Sequence, residues 1–223
     1  MPTVGQLDSA LQPAKPPGDW SVERSFRFCQ DVARRDTHNF PVATWLMPAS
    51  VRPHAACLYA FARLADNWAD EPRYAGQRQA LLDAWSTALD DCCAGRATHP
   101  VFIALRETMA AFDIPPAYLR TLLDALRQDL SVTRYATRHD LLDYCRRSAN
   151  TAGRLVLTLL GCRDEQEYRL SDAICTGHAL VNFWQEVAED WARGRIYIPQ
   201  DDLTRFGCDP TSLDTPSTSE SLQ

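Results

Sequence analysis

Several features are missing from this sequence, and each absence excludes a class of protein. No apolar run approaches the roughly 18–20 residues that a helix needs to cross a bilayer, so we predict no membrane-spanning helix. The first residues lack the basic and then apolar pattern of a secretory signal. Nucleic-acid binding normally needs a basic face, and the formal net charge is -6, so we expect no nucleic-acid partner.

The eight cysteines form no C-x-x-C pair, and most of them lie in apolar stretches. In such surroundings a free cysteine behaves as a small hydrophobic residue. Without an export signal, reduced thiols and a cytoplasmic location are expected, and a zinc site is not. The hydrolase motifs G-x-S-x-G and H-E-x-x-H are absent as well, which argues against those enzyme classes.

Strands are not predicted, because no segment shows a sustained two-residue alternation of apolar and polar residues. Helical spacing dominates from residue 19 onwards, and prolines separate the helical segments. Two segments carry apolar residues at the spacing of a buried helix face: Leu81, Leu82, Trp85 and Leu89 in one, and Leu119, Leu122, Leu123, Leu126 and Leu130 in the other. The sequence therefore predicts an all-α single domain of about seven helices.

Composition divides the chain into three parts. Residues 1–18 hold four prolines and little apolar periodicity, which predicts a disordered N-terminal arm. Residues 19–208 form the predicted helical domain. Residues 209–223 are rich in Ser and Thr and are expected to form a flexible end, or to mark a truncation point before further helices.

Two sets of acidic residues stand out within apolar segments. In the stretch LADNWAD, Asp66 and Asp70 lie four positions apart, so they point the same way on a helix, with Arg63 beside them. A second segment repeats this spacing with three oxygen-bearing residues: Asn182, Glu186 and Asp190. An aspartate is expensive to bury alone, so either each set lies on a solvated face or the acids hold a cation.

Arginines accompany both acidic sets and bear on this choice. Mg²⁺ takes oxygen ligands, and it is commonly held by one or two carboxylates together with a substrate phosphate. Arg63, Arg193 and Arg195 suit a diphosphate, although arginines are also ordinary surface ion-pair partners. The combination of two acidic rows and flanking arginines on apolar segments favours a cavity that binds Mg²⁺ and a diphosphate.

Four stretches, in the same order along the chain, resemble the squalene/phytoene synthase family. YAFARLADNWADE (59–71) resembles the first aspartate-rich motif, and NFWQEVAEDWARGRIYIP (182–199) resembles the second motif with the flap that follows it. YCRRSANTAGRLVL (144–157) is similar to the central helix, and HNFPVATWLMP (38–48) to the segment that holds the prenyl chain. The resemblance covers about residues 20–208 and implies a helical bundle of the isoprenoid synthase type with a central cavity.

Within the family, the strings NFWQE, HNFP and RRSAN resemble the hydroxysqualene synthase branch of bacterial hopanoid biosynthesis. That branch converts presqualene diphosphate and water to hydroxysqualene and diphosphate, with Mg²⁺ and without a reductant. The resemblance implies a prenyl diphosphate substrate. Because the prenyl chain is apolar, peripheral association with the inner face of the membrane is an alternative to a purely cytoplasmic location. Head-to-head synthases that form presqualene diphosphate, squalene or phytoene remain the alternative, with the same metal site.

The resemblance also implies roles for individual residues. The implied metal ligands are Asp66, Asp70, Asn182, Glu186 and Asp190. The implied catalytic residues are Arg63, Tyr197 and Asn150. The implied substrate contacts are Phe40, Tyr59, Phe61, Trp184, Arg193 and Arg195. The arginines would grip the diphosphate, Tyr197 would lie on the flap, and the aromatic faces would stabilise a carbocation or pack in the core. Asn150 and Ser148 would position the quenching water or hydrogen-bond between helices.

Two positions depart from the usual pattern of the family. Glu186 stands where an aspartate is usual, which moves the carboxylate by about 1.5 Å, and Asn67 stands where many relatives have a further aspartate. The family continues through further helices after the flap. The sequence therefore leaves open whether these residues form an active enzyme, a catalytically inactive helical relative or a fragment, and it gives no oligomeric state.

Overall fold

The computed structural model describes residues 20–35 and 47–208. The predicted arm (1–18), the Ser/Thr-rich end (209–223) and Phe40 lie outside the described residues, so the domain boundaries stay predictions. Across the described ranges all regular structure is helical, apart from one isolated bridge between Arg134 and Ile196. The all-α prediction is confirmed.

The helices follow one another with short connections. They are α1 (Val22–Arg35), α2 (Arg52–Asp70), α3 (Arg78–Cys93), α4 (Pro100–Phe112), α5 (Pro116–Asp129), α6 (Arg138–Cys145), α7 (Thr151–Leu159), α8 (Glu165–Gln185), α9 (Val187–Ala192) and α10 (Gln200–Arg205). A π-helical turn (Arg146–Asn150) joins α6 to α7 without a break, and only Glu186 separates α8 from α9. Counted as continuous segments, the described residues therefore contain seven long helices and the short α10, in line with the sequence.

Prolines and caps explain where several helices begin. Pro100 and Pro116 occupy the first positions of α4 and α5, where the missing N–H has no helical partner to lose. Asp164 caps α8, because its carboxylate accepts hydrogen bonds from the backbone N–H of Gln166 (2.7 Å) and of Glu167 (3.3 Å). The prolines and the capping aspartate therefore mark the starts of these helices in the sequence itself.

Helix α2 is the central helix of the bundle and packs against α1, α3, α4 and α5. One side of α2 meets the fully buried Trp85 of α3, whose indole N–H donates to the carbonyl of Phe61 at 3.2 Å. The predicted α3 residues Leu81, Leu82, Trp85 and Leu89 are all completely buried. In α5, Leu119 and Leu123 are completely buried, whereas Leu122, Leu126 and, directly after the helix, Leu130 are half-buried at the edge of the core.

A second, smaller core is aromatic and lies beside the segment that follows α9. Its members are Ala125, Tyr135, Leu141, Tyr144 and Tyr197, with Phe183 of α8 packed against them. The rings of Phe183 and Tyr197 stack with their centroids 4.1 Å apart. This cluster joins α5, α6 and α8 and fixes the approach of the segment between α9 and α10.

Helix α8 packs closely on one side and is open on the other. A Cβ atom at Gly153 of α7 would lie 2.5 Å from the Sγ of Cys175 and 2.8 Å from the Oγ of Ser171, so a larger residue would force these side chains or the helices to move. On the open side an apolar row is exposed: Leu170, Ile174, Val181 and Trp184. Within residues 20–35 and 47–208, none of the eight cysteines takes part in a disulfide bond. Among the described helices, none combines the length and apolar character needed to cross a bilayer.

Candidate active site

The two acidic sets meet across one cavity of about 880 Å³. Helix α2 contributes Asp66, Asn67 and Asp70 to its wall, because residues at this spacing lie along one side of a helix. The end of α8 and the start of α9 contribute Asn182 and Glu186 from the opposite wall. The structure thus brings together four of the five residues predicted to bind metal.

Asp190, the fifth, is buried and does not line this cavity. The predicted continuous row of Asn182, Glu186 and Asp190 is interrupted, because α8 ends at Gln185 and Glu186 leaves helical geometry (φ -98°, ψ 12°). Glu189, which the sequence analysis did not select, lines the cavity. Asp190 stands behind this wall, where its backbone carbonyl accepts a hydrogen bond from the N–H of Arg195 at 2.8 Å.

Three predicted arginines lie in the cavity wall and pair with its acids. Arg63 donates to Asp66 at 2.9 Å, one helical turn away on α2. Arg195 donates to Asp70 at 2.5 Å, and an Nη of Arg193 lies 4.0 Å from the same carboxylate. These pairs join the first acidic motif to the segment after the second motif.

Arg78 is a fourth cavity arginine, which the sequence analysis did not identify. Its Nη2 donates to the backbone carbonyl of Asp70 at 3.2 Å, at the end of α2. Its Nε is buried without a hydrogen-bond partner among the described residues. Position 78 lies outside both acidic motifs, so no spacing in the sequence indicates that Arg78 belongs to the site.

The carboxylates of the site lie in an environment that disfavours their negative charge. Burial, and then the charge of Asp70, raise the pKa of Asp66, although Arg63 opposes this shift. Burial also raises the pKa of Asp190. Both shifts arise mainly because burial removes water from the charged carboxylate, and a cation in that space would oppose them.

A second cavity, of about 310 Å³ and mostly apolar, adjoins the first. Arg63 and Asp66 line both cavities, so the two spaces share a wall. The predicted substrate contact Tyr59 lies in this second cavity, with Ser148 and Tyr144. A molecule with an ionic head and an apolar tail would fit the two adjoining cavities.

Phe61 and Trp184, two of the implied substrate contacts, line neither cavity. Phe61 is completely buried and packs on Trp85 and Phe102, so it belongs to the core and not to a cavity wall. It lies five residues, or about 140°, around α2 from Asp66. Trp184 is 58% exposed and lines neither cavity. It lies two residues, about 200°, around α8 from Asn182.

Two of the residues implied in catalysis make structural contacts. Asn150, which is 4% exposed, accepts a hydrogen bond from Thr176 of α8 at 3.0 Å, which is the helix–helix contact that the sequence left open. Tyr197 is 8% exposed and stacks on Phe183 instead of covering the cavity. Its hydroxyl donates to Asp129 at 3.3 Å.

Asp129 is a residue of the site that the sequence analysis missed. It is the last residue of α5 and lines the polar cavity. An acid at this position is unfavourable, because the C-terminal end of a helix carries partial negative charge. An acid at the end of a predicted helix is a signal that can be read from the sequence. The hydrogen-bond partners of Asp129, Tyr144 and Tyr197, come from distant segments and could not be inferred from that signal.

The donor chemistry of the cavity fits Mg²⁺, although the acids do not enclose a point in space. Carboxylate and amide oxygens are the ligands that this ion prefers. Within residues 20–35 and 47–208 no three acidic, cysteine or histidine side chains converge closely enough to surround a metal ion by themselves. A cation here would therefore need ligands from a substrate or from water as well.

Comparison with known proteins identifies the family. The sequence profile of the squalene/phytoene synthase family matches residues 33–223, so the chain belongs to this family. Phytoene synthase 3 of Zea mays is 31% identical over 197 residues, which cover 86% of this chain and 46% of the relative. The phytoene synthase of Arthrospira platensis is 33% identical over 195 residues, 82% of this chain and 63% of the relative. The chain thus spans about half to two thirds of the length of these relatives.

Two solved structures share the fold. Squalene synthase HpnC from Alicyclobacillus acidocaldarius superposes with a TM-score of 0.83 at 39% identity, over 90% of this chain and 75% of that one. A dehydrosqualene synthase in complex with a ligand gives a TM-score of 0.82 at 27% identity, over 90% and 70% of the two chains. The expected isoprenoid synthase architecture is confirmed.

Proposed function

We propose that the protein converts presqualene diphosphate and water to hydroxysqualene and diphosphate, with Mg²⁺ and without a reductant. The observation that carries a prenyl diphosphate substrate is the pair of adjoining cavities, one ionic and one apolar, that share Arg63 and Asp66. The choice of presqualene diphosphate is supported by the strings NFWQE and RRSAN, and by the likeness to squalene synthase HpnC.

The chain's own residues would act mainly by binding and orienting the substrate. Asp66, Asp70, Asn182 and Glu186 line the ionic cavity and would supply oxygen ligands for Mg²⁺, and the buried Asp190 would add negative charge nearby. Bound Mg²⁺ would neutralise charge on the diphosphate as the carbon–oxygen bond breaks.

Arginines would bind the leaving diphosphate. Arg63, Arg193 and Arg195 line the cavity, and each lies within 4.0 Å of a carboxylate oxygen. A diphosphate would compete with these carboxylates for the guanidinium groups, and the released carboxylates would then be available as metal ligands. Tyr59 presents an aromatic face in the apolar cavity, where a carbocation would form.

The test is a product analysis with three substrates. The purified chain is incubated with presqualene, farnesyl or geranylgeranyl diphosphate, each with Mg²⁺ and without NADPH, and the apolar products are identified by mass spectrometry. We expect hydroxysqualene from presqualene diphosphate only, and none after EDTA. Asp66→Asn should lower kcat/KM about 100-fold, because several kcal/mol of charge stabilisation depend on the metal. Asp124→Asn, at an exposed position of α5, is the matched control and should retain activity.

A head-to-head prenyl transferase is the second candidate. It is favoured by relatives of 31–33% identity that are named phytoene synthases. Condensation products from geranylgeranyl or farnesyl diphosphate, with presqualene diphosphate left unchanged, would replace the first proposal with this one. A folded chain that consumes none of the three substrates would contradict both, and it would favour a catalytically inactive relative or a fragment.

A further inference from the structure

Asp129 lies where the ionic cavity meets the apolar cavity. Its Oδ2 accepts a hydrogen bond from the Tyr144 hydroxyl at 2.6 Å, and its Oδ1 accepts one from the Tyr197 hydroxyl at 3.3 Å. Asp129 lines the ionic cavity, whereas Tyr144 lines the apolar one. The Asp129–Tyr144 pair therefore connects the space proposed for the hydrocarbon with the space proposed for the diphosphate.

The hydrogen bonds of Asp129 suit a proton acceptor. Its two direct donors are neutral phenols, and such donors stabilise a carboxylate less than an arginine does. Burial raises the pKa of Asp129 to about 6, although both phenols act in the opposite direction. Burial also raises the pKa of Tyr144, so this phenol keeps its proton. At neutral pH an ionised carboxylate thus orients a neutral hydroxyl group.

We propose that Asp129 is a positioning residue that acts through Tyr144 and takes up the proton released when water adds to the carbocation. The inference rests on the proposed function, because the hydration step is the step that releases this proton. A lone pair of the water oxygen forms the new carbon–oxygen bond, and one O–H bond of the water breaks. Its proton passes to the Tyr144 oxygen while the phenol's own proton passes to Asp129, which becomes a neutral carboxylic acid. The ionic cavity then returns that proton to solvent.

The pH dependence follows from the ionisation of Asp129. Below about pH 6 the carboxyl group is protonated and cannot accept another proton, so kcat should fall as the pH decreases through 6. The titratable or charged groups around it come from α2, from α6 and the residues just before it, and from the segment after α9: Asp70, Tyr135, Tyr144, Arg195 and Tyr197. The pKa values of the three tyrosines and of Arg195 are raised, so these groups keep their protons throughout this range.

The experiment compares four variants with the wild-type chain on presqualene diphosphate, from pH 5 to pH 8. Asp129→Asn should lower kcat about 100-fold, change KM less than about threefold and lose the fall of kcat below pH 6. Tyr144→Phe should lower kcat similarly, and the double variant should be no slower than the slower single variant. Tyr135→Phe is the matched control, because its hydroxyl belongs to the same aromatic cluster but accepts from Gln128 at 3.3 Å.

The outcomes separate the two proposals. A wild-type chain that does not convert presqualene diphosphate overturns the proposed function. An active wild-type chain with an unaffected Asp129→Asn variant, or with multiplicative losses in the double variant, overturns the inference alone. Circular dichroism and thermal unfolding show whether Asp129→Asn folds. If it does not, Tyr144→Phe carries the same test, because it breaks the proton path at its first step and must also lose the fall below pH 6.

Discussion

At the residue scale, position around a helix decides which side chains reach the site. Tyr59, Arg63, Asp66 and Asp70 are spaced by four, three and four residues and form one stripe of α2, and each of them lines a cavity. Phe61 lies outside this stripe and is completely buried in the core. An aromatic residue near an acidic motif is therefore a candidate for the cavity wall only when it shares the stripe.

The Arg195–Asp70 pair should stabilise the fold more than surface pairs do. Arg195 is only 12% exposed and joins segments 125 residues apart, so its removal leaves a partly buried carboxylate without its main partner. We expect Arg195→Met to lower the free energy of unfolding by about 2–4 kcal/mol in metal-free buffer. The measurement is urea unfolding followed by circular dichroism.

Arg96→Met is the matched control for Arg195→Met. Arg96 pairs with Asp91 at 2.6 Å, but its side chain is 67% exposed. Because water screens this pair, the loss should be less than about 1 kcal/mol. Equal losses in the two variants would mean that burial does not strengthen the Arg195–Asp70 pair.

At the scale of elements, the sequence predicted the helices better than their interruptions. Prolines and apolar spacing indicated α3, α4 and α5, because those signals act within one or two helical turns. The end of α8 at Gln185 and the π-helical turn Arg146–Asn150 were not predicted. The π-helical turn packs against α5 and α8, and contacts of this kind leave no periodic pattern in a sequence.

The π-helical turn has a geometric effect on the site. Tyr144 and Gly153 are nine residues apart, so a regular α-helix would point them to opposite sides. One extra residue in the turn rotates the following helix back by about 100°. Tyr144 can then reach Asp129 of α5 while Gly153 faces Ser171 and Cys175 of α8.

Replacement of Gly153 should move α8 away from α7. In Gly153→Ala the new methyl group would lie within 3 Å of Cys175 Sγ and Ser171 Oγ, so we expect a loss of about 1–3 kcal/mol in the free energy of unfolding. Combining it with Ser171→Ala and Cys175→Ala removes both atoms and should restore most of the stability. Thermal and urea unfolding measure both effects.

Gly177→Ala provides the control in the neighbouring helix. Gly177 lies within α8, and nothing stands within 4 Å of a Cβ atom placed there. Alanine is the better helix former, so this variant should gain about 0.5–1 kcal/mol. If Gly153→Ala stabilised the chain to the same extent, close packing at this position would be disproved.

At the scale of the whole molecule, the charges of the ionic cavity should make diphosphate binding depend on Mg²⁺. The acidic residues in its wall are Asp66, Asp70, Glu71, Asp129, Glu186 and Glu189, and the basic ones are Arg63, Arg78, Arg193 and Arg195. Acids outnumber arginines, so an anion alone meets repulsion, whereas an anion with a divalent cation does not.

Inorganic diphosphate and Mg²⁺ together should therefore raise the melting temperature more than the sum of their separate effects. At 100 times the dissociation constant the stabilisation is about 2.7 kcal/mol, which corresponds to about 5–10 °C for a chain of this size. Differential scanning calorimetry measures the shift, and Asp124→Asn should keep it while the combined Asp66→Asn and Asp70→Asn variant should lose it. An equal shift with diphosphate and EDTA would contradict a metal-dependent site.

The exposed position of Trp184 has a spectroscopic consequence. Its indole is 58% exposed, whereas Trp68 and Trp85 are buried at 2% and 0%. An indole in water fluoresces at longer wavelength than one in an apolar core, so Trp184 should emit at longer wavelength than Trp68 and Trp85. It also belongs to the helix that carries Asn182 and ends beside Glu186. The difference between the emission spectra of the chain and of Trp184→Phe is therefore the fluorescence of Trp184. This signal reports on the helix that contributes Asn182 to the site.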